Sequence, residues 1–213
     1  MDEEIAIIDQ LTRREKIINF LVKNKKKIYL ILGSVLAILF LIFYFLDFKE
    51  KKRIKISNEF INASINYNPD NKNVSLDIFK NIIQKNDSTY SPLALFFIID
   101  NKLLSSNEDI NLLIDNVIKN SKLENEIENL IIYKKALINS EFLSEEDLIK
   151  ILNPIINSKS IWKPHALLLL GDYFLSKEQK NKAEEFFSQI LVAENTDQNI
   201  LFQAQTRLRN IND

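Results

Sequence analysis

The sequence lacks the residue types on which many catalytic centres and disulfide-held folds depend. It contains no cysteine and a single histidine, His165. Without cysteine there are no disulfides, which fits either side of a membrane. Thiol nucleophiles are excluded, and a histidine-based nucleophile or metal site would need companions for His165 that the sequence does not supply. We therefore expect no enzyme activity, no cofactor and no metal site.

Glycine and proline are also scarce, with two and four residues in a chain of 213. Such a chain has little material for the many turns of a β-sandwich or barrel, so we expect an all-α fold. The two glycines, Gly33 and Gly171, are far apart and form no phosphate-binding loop. The net charge of −1 provides no global basic field, so we expect no nucleic-acid partner.

One long apolar run is present near the N-terminus. From Ile28 to Leu46 there is no charged or amide side chain. At about 1.5 Å of rise per residue this run forms a helix of roughly 28 Å, the thickness of a bilayer's hydrocarbon core. Its aliphatic and Phe residues favour insertion by about 4–8 kcal/mol. The run meets Asp47 rather than a small-residue cleavage site, so we interpret it as an uncleaved anchor.

The anchor divides the chain into three parts. We predict a cytoplasmic amphipathic and basic tail at 1–27, a transmembrane helix at 28–46 and a soluble domain at 47–213. Lys and Arg flank the span on both sides with a modest excess before it, which favours a cytoplasmic N-terminus and an exported domain. Within the span, Gly33 and Ala37 form a small-xxx-small pair that would let another helix pack closely, although such pairs also arise by chance.

Helical periodicity continues after the anchor, broken by short polar segments. The predicted helices are 52–67, 74–85, 92–105, 108–119, 123–140, 145–157, 163–175, 179–193 and 198–211. Ser91-Pro92 and the stretch from Ser144 to Asp147 have the composition of helix starts. Pro154 conflicts with a continuous helix from 145 to 157 and should kink or shorten it.

Paired helices indicate a repeat architecture, and one pair has a recognisable signature. The stretch "HALLLLGDYFLSKEQKNKAEEFFSQILVAEN" has the residue spacing of a tetratricopeptide repeat. Its packing positions are Leu167, Leu170, Gly171, Phe174, Ala183, Phe187 and Ile190. A weaker copy lies about 35 residues earlier, at Ile132, Ala136, Leu148, Leu152 and Ile155. We predict a tetratricopeptide-like solenoid of about four helix pairs and a C-terminal capping helix.

The two ends of the chain resemble a known family. The opening "MDEEIAIIDQLTRREKI", the single span that follows and the late "SIWKPHALLLLGDYFLSKEQKNKAEEFF" are similar to the YfgM-like family of ancillary Sec translocon subunits. The resemblance implies a single-pass bacterial inner-membrane protein with a cytoplasmic N-terminus and a tetratricopeptide-like domain in the periplasm. It also implies contact with the SecYEG channel and with periplasmic chaperones or exported polypeptides.

The repeat register places one set of side chains on the concave face of the array. The candidate peptide-groove residues are Tyr133, Ser140, His165, Asp172 and Ser176, with Leu130, Leu137, Glu141, Leu168 and Leu175 at equivalent positions. The alternative is that the array is too short for an open groove and that the apolar members are buried by the next helix. For Trp162, the only tryptophan, packing at a helix start is favoured over ligand contact.

These features favour a membrane-tethered, protein-binding adaptor or chaperone-like subunit beside the Sec translocon. Tethering would hold such a module at high effective concentration near its partner, even when the contact itself is weak. One alternative is an envelope scaffold for outer-membrane assembly or cell division, with the same fold and another client. The other is a hydrolase with an unrecognised site.

Overall fold

The structure, a computed structural model, describes residues 2–193 and 196–212, and this part of the chain is helical with no strand. The all-α prediction is confirmed. The amphipathic stripe predicted for the tail falls largely on side chains outside those described. The helices are α1 (Asp2–Ile65), a 3₁₀ turn (Pro69–Asn71), α2 (Lys72–Gln84), α3 (Tyr90–Asp100), α4 (Asn107–Asn120), α5 (Asn125–Asn139), α6 (Glu145–Ile156), α7 (Lys163–Ser176), α8 (Lys180–Leu191) and α9 (Gln198–Asn212).

Helix α1 carries the apolar run. The stretch Leu32–Ile65 contains a window of mean hydropathy 2.0 whose residues are unburied, so it is long and apolar enough to cross a membrane. The helix predicted at 52–67 is present to Ile65, but it is the last part of α1 and not a separate helix. The basic residues at 49–55 include no glycine or proline to break the helix. The chain divides into two compact units, Met1–Lys55 and Ile56–Asp213.

The second unit is an array of helix pairs with a continuous apolar interior. One hydrophobic cluster joins the end of α1 to α5 around Phe79, Ile98 and Ile114. A second cluster joins α5 to α9 around Leu152 and Phe174. Helix α3 pairs with α4, α5 with α6 and α7 with α8, and α9 packs on α7 and α8. The end of α1 meets α2 through side chains, with the rings of Phe60 and Phe79 edge-on at 5.8 Å between centroids. The predicted four pairs and capping helix are therefore present.

Polar contacts recur along this array at nearly the same sequence separation. The Tyr90 hydroxyl donates to Ser57 Oγ across 33 residues, and Lys134 pairs with Asp100 across 34. Ser160 Oγ donates to Glu126 across 34 residues. The Arg207 guanidinium donates two hydrogen bonds to the Asp172 carboxylate across 35 residues. A 34-residue unit is the length of a tetratricopeptide repeat, so these four contacts are compatible with the repeat predicted for the central region, although other polar contacts between helices span 20 to 37 residues.

The signature residues form the contact between α7 and α8. All seven are buried. A Cβ atom added at Gly171 would lie 2.6 Å from Phe187 Cδ1 and 2.7 Å from Cζ, so only glycine lets the Phe187 ring approach α7 this closely. The weaker copy is also buried at Ala136, Leu148, Leu152 and Ile155, and Ile132 is half-buried.

The weaker copy replaces one aromatic position with a polar pair. Asn139, the counterpart of Phe174, is buried and exchanges two hydrogen bonds of 2.9 Å with Asn111. Its side-chain amide also donates to the Lys135 carbonyl at 2.7 Å. Because each asparagine amide both donates and accepts, two facing amides satisfy one another at a helix contact without any charge.

Helix starts show where the sequence patterns were misleading. The predicted cap at Ser91 is wrong: α3 begins at Tyr90, and Asp87 Oδ1 accepts from the backbone N–H groups of Thr89 and Tyr90 at 2.9 Å. Ser91 is buried, and its hydroxyl lies within 3.2 Å of the Ile82 and Ile83 carbonyls.

The cap predicted at Ser144 is present, since its Oγ accepts from the Asp147 N–H at 3.2 Å. The Ser144 hydroxyl in turn donates to Asp147 Oδ2 at 2.7 Å, and no second cap bond, from an N3 side chain to the cap backbone, occurs between these two described residues. Pro154, which was expected to kink or shorten the predicted helix 145–157, lies inside α6. Helix α6 continues to Ile156, because proline in the final turn removes one hydrogen bond without blocking the next residues.

Three helices end with a residue in the left-handed region, and glycine fills none of these positions. Asn86, Lys102 and Glu178 have φ angles of 53°, 49° and 60°. After α7, the Glu178 N–H donates to the Leu175 carbonyl at 3.0 Å and the Gln179 N–H donates to the Phe174 carbonyl at 2.9 Å. This is the hydrogen-bond pattern of a Schellman ending, in which glycine is usual. The shortage of glycine therefore leaves removable strain at helix ends.

Replacing Glu178 with glycine is expected to stabilise the domain by about 0.5–1 kcal/mol. A left-handed conformation costs a non-glycine residue about 1–2 kcal/mol, and the greater freedom of glycine in the unfolded chain cancels part of the gain. Urea unfolding of the detergent-solubilised chain, followed by Trp162 fluorescence, would measure the change. Lys177→Gly is the matched control, because Lys177 has a φ of −96° and should lose stability. A gain for both variants would contradict the strain argument.

Candidate functional site

The predicted groove residues occupy two neighbouring positions on α5 and α7. The first is an aromatic cluster of Tyr133, Trp162 and His165. The rings of Tyr133 and Trp162 stack with centroids 6.1 Å apart. The His165 ring meets Tyr133 edge-on at 5.9 Å and Trp162 at 5.2 Å. All three centroid distances lie within the range at which aromatic pairs attract beyond their area burial.

Trp162 packs where α7 starts, as the sequence indicated, and it also completes this cluster. Its backbone N–H donates to Ser160 Oγ at 3.1 Å. Glu126, at the start of α5, accepts from the Ser160 hydroxyl at 2.7 Å. The turn before α7 is therefore held by the preceding repeat, and that turn sets the position of the indole ring. The sequence favoured packing over ligand contact for Trp162 and did not predict its contact with Tyr133 and His165.

The environment of the cluster disfavours charge on its titratable groups. Partial burial raises the pKa of the Tyr133 hydroxyl, and the Asp172 carboxylate raises that pKa further. Burial lowers the pKa of His165, although the negative charge of Asp197 acts in the opposite direction. A backbone hydrogen bond with Ile161 also raises the pKa of His165, although by strict geometry the buried Nδ1 atom has no partner among the described residues. Burial thus favours the uncharged ring beside the two aromatic rings.

The second position is an open depression of about 310 Å³ between α5 and α7. It contains three predicted groove residues: Ser140, Asp172 and Ser176. The remaining lining residues are Glu141, Leu169, Tyr173 and Lys177. Ser140 and Ser176 donate their hydroxyls to carbonyls of their own helices, at 3.0 and 2.7 Å. Their oxygens retain the capacity to accept a hydrogen bond from another chain.

Arg207 of α9 is an additional residue of this region. It pairs with Asp172, so the carboxylate at the edge of the depression is already neutralised. The sequence analysis did not identify Arg207. Two features of the sequence could have indicated this pair. Arg207 lies 35 residues after Asp172, which is one repeat length, and the two side chains have opposite charges.

The four leucines at the other predicted groove positions differ in their exposure to solvent. Leu168 is buried, which agrees with the alternative that the next helix covers the apolar members. Leu130 and Leu175 are half-buried, whereas Leu137 is 47% exposed. The leucines predicted for the concave face are therefore partly buried by packing and partly exposed.

The predicted packing pair of the anchor lies on α1. A Cβ atom added at Gly33 would have no described heavy atom outside its own helix backbone within 4 Å. Ala37 lies four residues later, one turn along the same helix. The pair is thus available to a partner helix, and its use for packing stays a prediction.

Comparison with known proteins gives one informative relative. A curated protein of Buchnera aphidicola subsp. Schizaphis graminum, described as an ancillary SecYEG translocon subunit, is 30% identical over 169 residues, which cover 78% of this chain and 84% of that protein. No family model matches the chain, and no solved structure does. Among the described residues one helix, α1, is long and apolar enough to span a membrane. Together with this helix, the relative indicates a membrane-anchored, single-pass protein. The chain belongs to the family of ancillary SecYEG translocon subunits.

Proposed function

We propose that the protein serves the Sec translocon by holding exported polypeptides on the concave face of its repeat domain. In this proposal the tail at 1–27 is cytoplasmic, residues 28–46 span the bacterial inner membrane and residues 47–213 lie in the periplasm. The partners are the SecYEG-type channel, periplasmic chaperones or exported chains, and the lipid bilayer. Gly33 and Ala37 form the surface on which another membrane helix packs.

The observation that carries the proposal is the convergence of predicted groove residues at α5 and α7. Ser140, Asp172 and Ser176 line one open depression, and Tyr133 and His165 share one aromatic cluster. Aromatic rings bind apolar side chains of many shapes, while serine oxygens and a neutralised carboxylate bind backbone amides. Such a surface suits weak binding to chains of varied sequence, which is what a tethered module requires.

Site-specific photocrosslinking tests this function in cells. A photoreactive phenylalanine analogue placed at Tyr133 or His165 of the full chain is expected to crosslink to secretory proteins whose signal peptides have already been removed. Cleaved substrates are found only on the exported side, so the same adducts report the orientation of the domain. The matched control is the analogue at Phe142, which is 75% exposed outside the groove.

The possible outcomes separate the candidates. Adducts with many mature exported proteins at Tyr133 and His165, and few at Phe142, would support the proposal. Adducts with one fixed set of envelope proteins would favour the scaffold alternative. Crosslinking that is equal at all three positions, or confined to cytoplasmic proteins, would contradict the proposed groove or its location.

A further inference from the structure

The first helix pair of the array has an open groove on its surface. The groove has a volume of about 500 Å³ and lies between the end of α1 and α2. Its lining residues are Glu59, Asn62, Ala63, Asn66, Asn71, Val74, Ser75, Ile78 and Asn81. Four apolar side chains on these helices reach solvent: Ile61, Ile65, Val74 and Ile78, of which Ile65 is 76% and Val74 63% exposed.

This groove lies on a different side of α2 from the internal packing of the array. The inward side of α2 carries Phe79, which stacks on Phe97 of α3 with centroids 4.3 Å apart. Val74, Ile78 and Asn81 recur at intervals of three and four residues and form a separate stripe. The first pair therefore packs against α3 on one side and leaves its apolar stripe uncovered.

The C-terminal end of the array is covered by an additional helix. Helix α9 lies against α7 and α8 and buries Ile200, Ala204 and Ile211 there. Terminal repeats of a solenoid need such a cap with a polar outer face, because an uncovered repeat surface exposes apolar side chains to water. The array thus has a cap at its C-terminal end and an apolar groove without one on its first pair.

Within the residues that the structure describes, no helix covers this groove. The end of α1 forms one of its walls, and the residues before Ile56 continue the same helix and include the apolar anchor. In the topology proposed above, the residues before the anchor lie on the opposite side of the bilayer. A helix from another molecule can therefore occupy the groove.

The chemistry of the groove restricts what that molecule can be. Glu59 is the only charged residue of the lining, and it is paired with Lys85. The polar members are otherwise amides and one hydroxyl. Burying a charged side chain against this surface would leave the charge without a partner, which is costly. The occupant must match it with neutral apolar and amide groups.

We propose that this groove is a self-association surface, occupied by the same α1–α2 face of a second copy of the chain. A two-fold contact requires a self-complementary patch. Asparagine amides meet that requirement because each donates and accepts, and α4 and α5 already use such a reciprocal pair at Asn111 and Asn139. Asn62, Asn66 and Asn81 supply amides beside Val74 and Ile78 at the new contact. The proposal does not depend on what the concave face binds.

Membrane tethering makes this small surface sufficient. A stable soluble interface buries about 1,200–2,000 Å² in total, whereas the proposed contact involves one face of two short helices. Two copies anchored in one bilayer meet at high effective concentration, and both present residues close in sequence to their anchors. We therefore expect association in membranes and little association after dilution in detergent.

The absence of native cysteine allows a direct test. Single variants Ile65→Cys, Val74→Cys and Ile78→Cys of the full chain are oxidised in native membranes. We expect a disulfide-linked species of twice the 24.9 kDa chain mass. Phe142→Cys and Phe202→Cys are matched controls, since these side chains are 75% and 61% exposed elsewhere. We expect at least fivefold less dimer from the controls.

A second variant tests whether the contact depends on the uncharged character of the groove. Val74→Asp in the Ile78→Cys background places a carboxylate in the proposed contact, and we expect about tenfold less crosslinked dimer. Because Val74 is largely exposed, Trp162-monitored unfolding should change little, which separates lost association from lost folding. Equal dimer from the groove and control cysteines would overturn the proposal. So would a groove-specific adduct with a different protein, or a folded Val74→Asp chain that still crosslinks fully.

Discussion

Arginine at both Leu36 and Leu39 is expected to release the protein from membranes into the soluble fraction. Both residues lie near the middle of the predicted span and are exposed on α1. Each substitution loses about 0.3–0.6 kcal/mol of insertion free energy and adds a penalty of about 2.5–3.5 kcal/mol. The pair therefore costs about 6–8 kcal/mol, which cancels the 4–8 kcal/mol that the run of apolar residues provides. Alkaline carbonate extraction followed by sedimentation would measure the change.

A matched pair of substitutions at the end of the span isolates the effect of depth. Phe45→Arg with Leu46→Arg makes an equivalent change in composition beside Asp47, where long basic side chains can extend to the interface. This control should remain in the membrane pellet. If the central variant also stays in the pellet, the apolar run is not what holds the protein. If both variants are extracted equally, insertion depends on composition alone and the predicted boundaries at 28–46 are wrong.

The helices of the repeat domain could be predicted because their apolar residues recur with helical spacing. The wrong predictions concern helix ends, which the spacing of apolar residues does not determine. The expected end of α3 near residue 105 is wrong, since α3 ends at Asp100. The apolar pattern continues because Leu103 is buried after the helix has ended, and its N–H donates to the Ile98 carbonyl at 2.9 Å. At a Schellman ending, a buried apolar residue can therefore follow the last helical residue. An apolar pattern alone does not show where such a helix ends.

Only those residues of the candidate site that occupy repeat positions could be predicted from the sequence. The register placed Tyr133, His165 and Asp172 on one face. In the structure the Tyr133 and His165 rings lie 5.9 Å apart and Asp172 raises the pKa of Tyr133, whereas peptide binding at these residues stays a prediction. The register could not show that the indole of Trp162 lies over Tyr133, because that position depends on the turn held by Glu126. Nor could it identify the groove on the first helix pair, where no signature residue marks the repeat. The family assignment came from the two ends of the chain, and the relative supports it over most of the length.

Replacing Phe187 with alanine is expected to destabilise the repeat domain by about 3–5 kcal/mol. The ring is completely buried between α7 and α8, and its removal leaves a cavity in a densely packed core. A typical domain has only about 5–15 kcal/mol of stability in total, so the loss is a large fraction of it. Urea unfolding of the full chain in detergent, followed by Trp162 fluorescence, would report the change as a lower transition midpoint.

The combination of Phe187→Ala with Gly171→Ala tests whether the close approach of the ring is the cause. In the native background Gly171→Ala should destabilise by about 1–3 kcal/mol, because the added methyl group overlaps the ring and outweighs the better helix propensity of alanine. In the Phe187→Ala background the ring is absent, so the same substitution should stabilise by about 0.5–1 kcal/mol. Gly33→Ala, with no crowding atom near it, should leave domain unfolding unchanged. An equal loss from Gly171→Ala in both backgrounds would mean that glycine is needed there for a reason other than the aromatic contact.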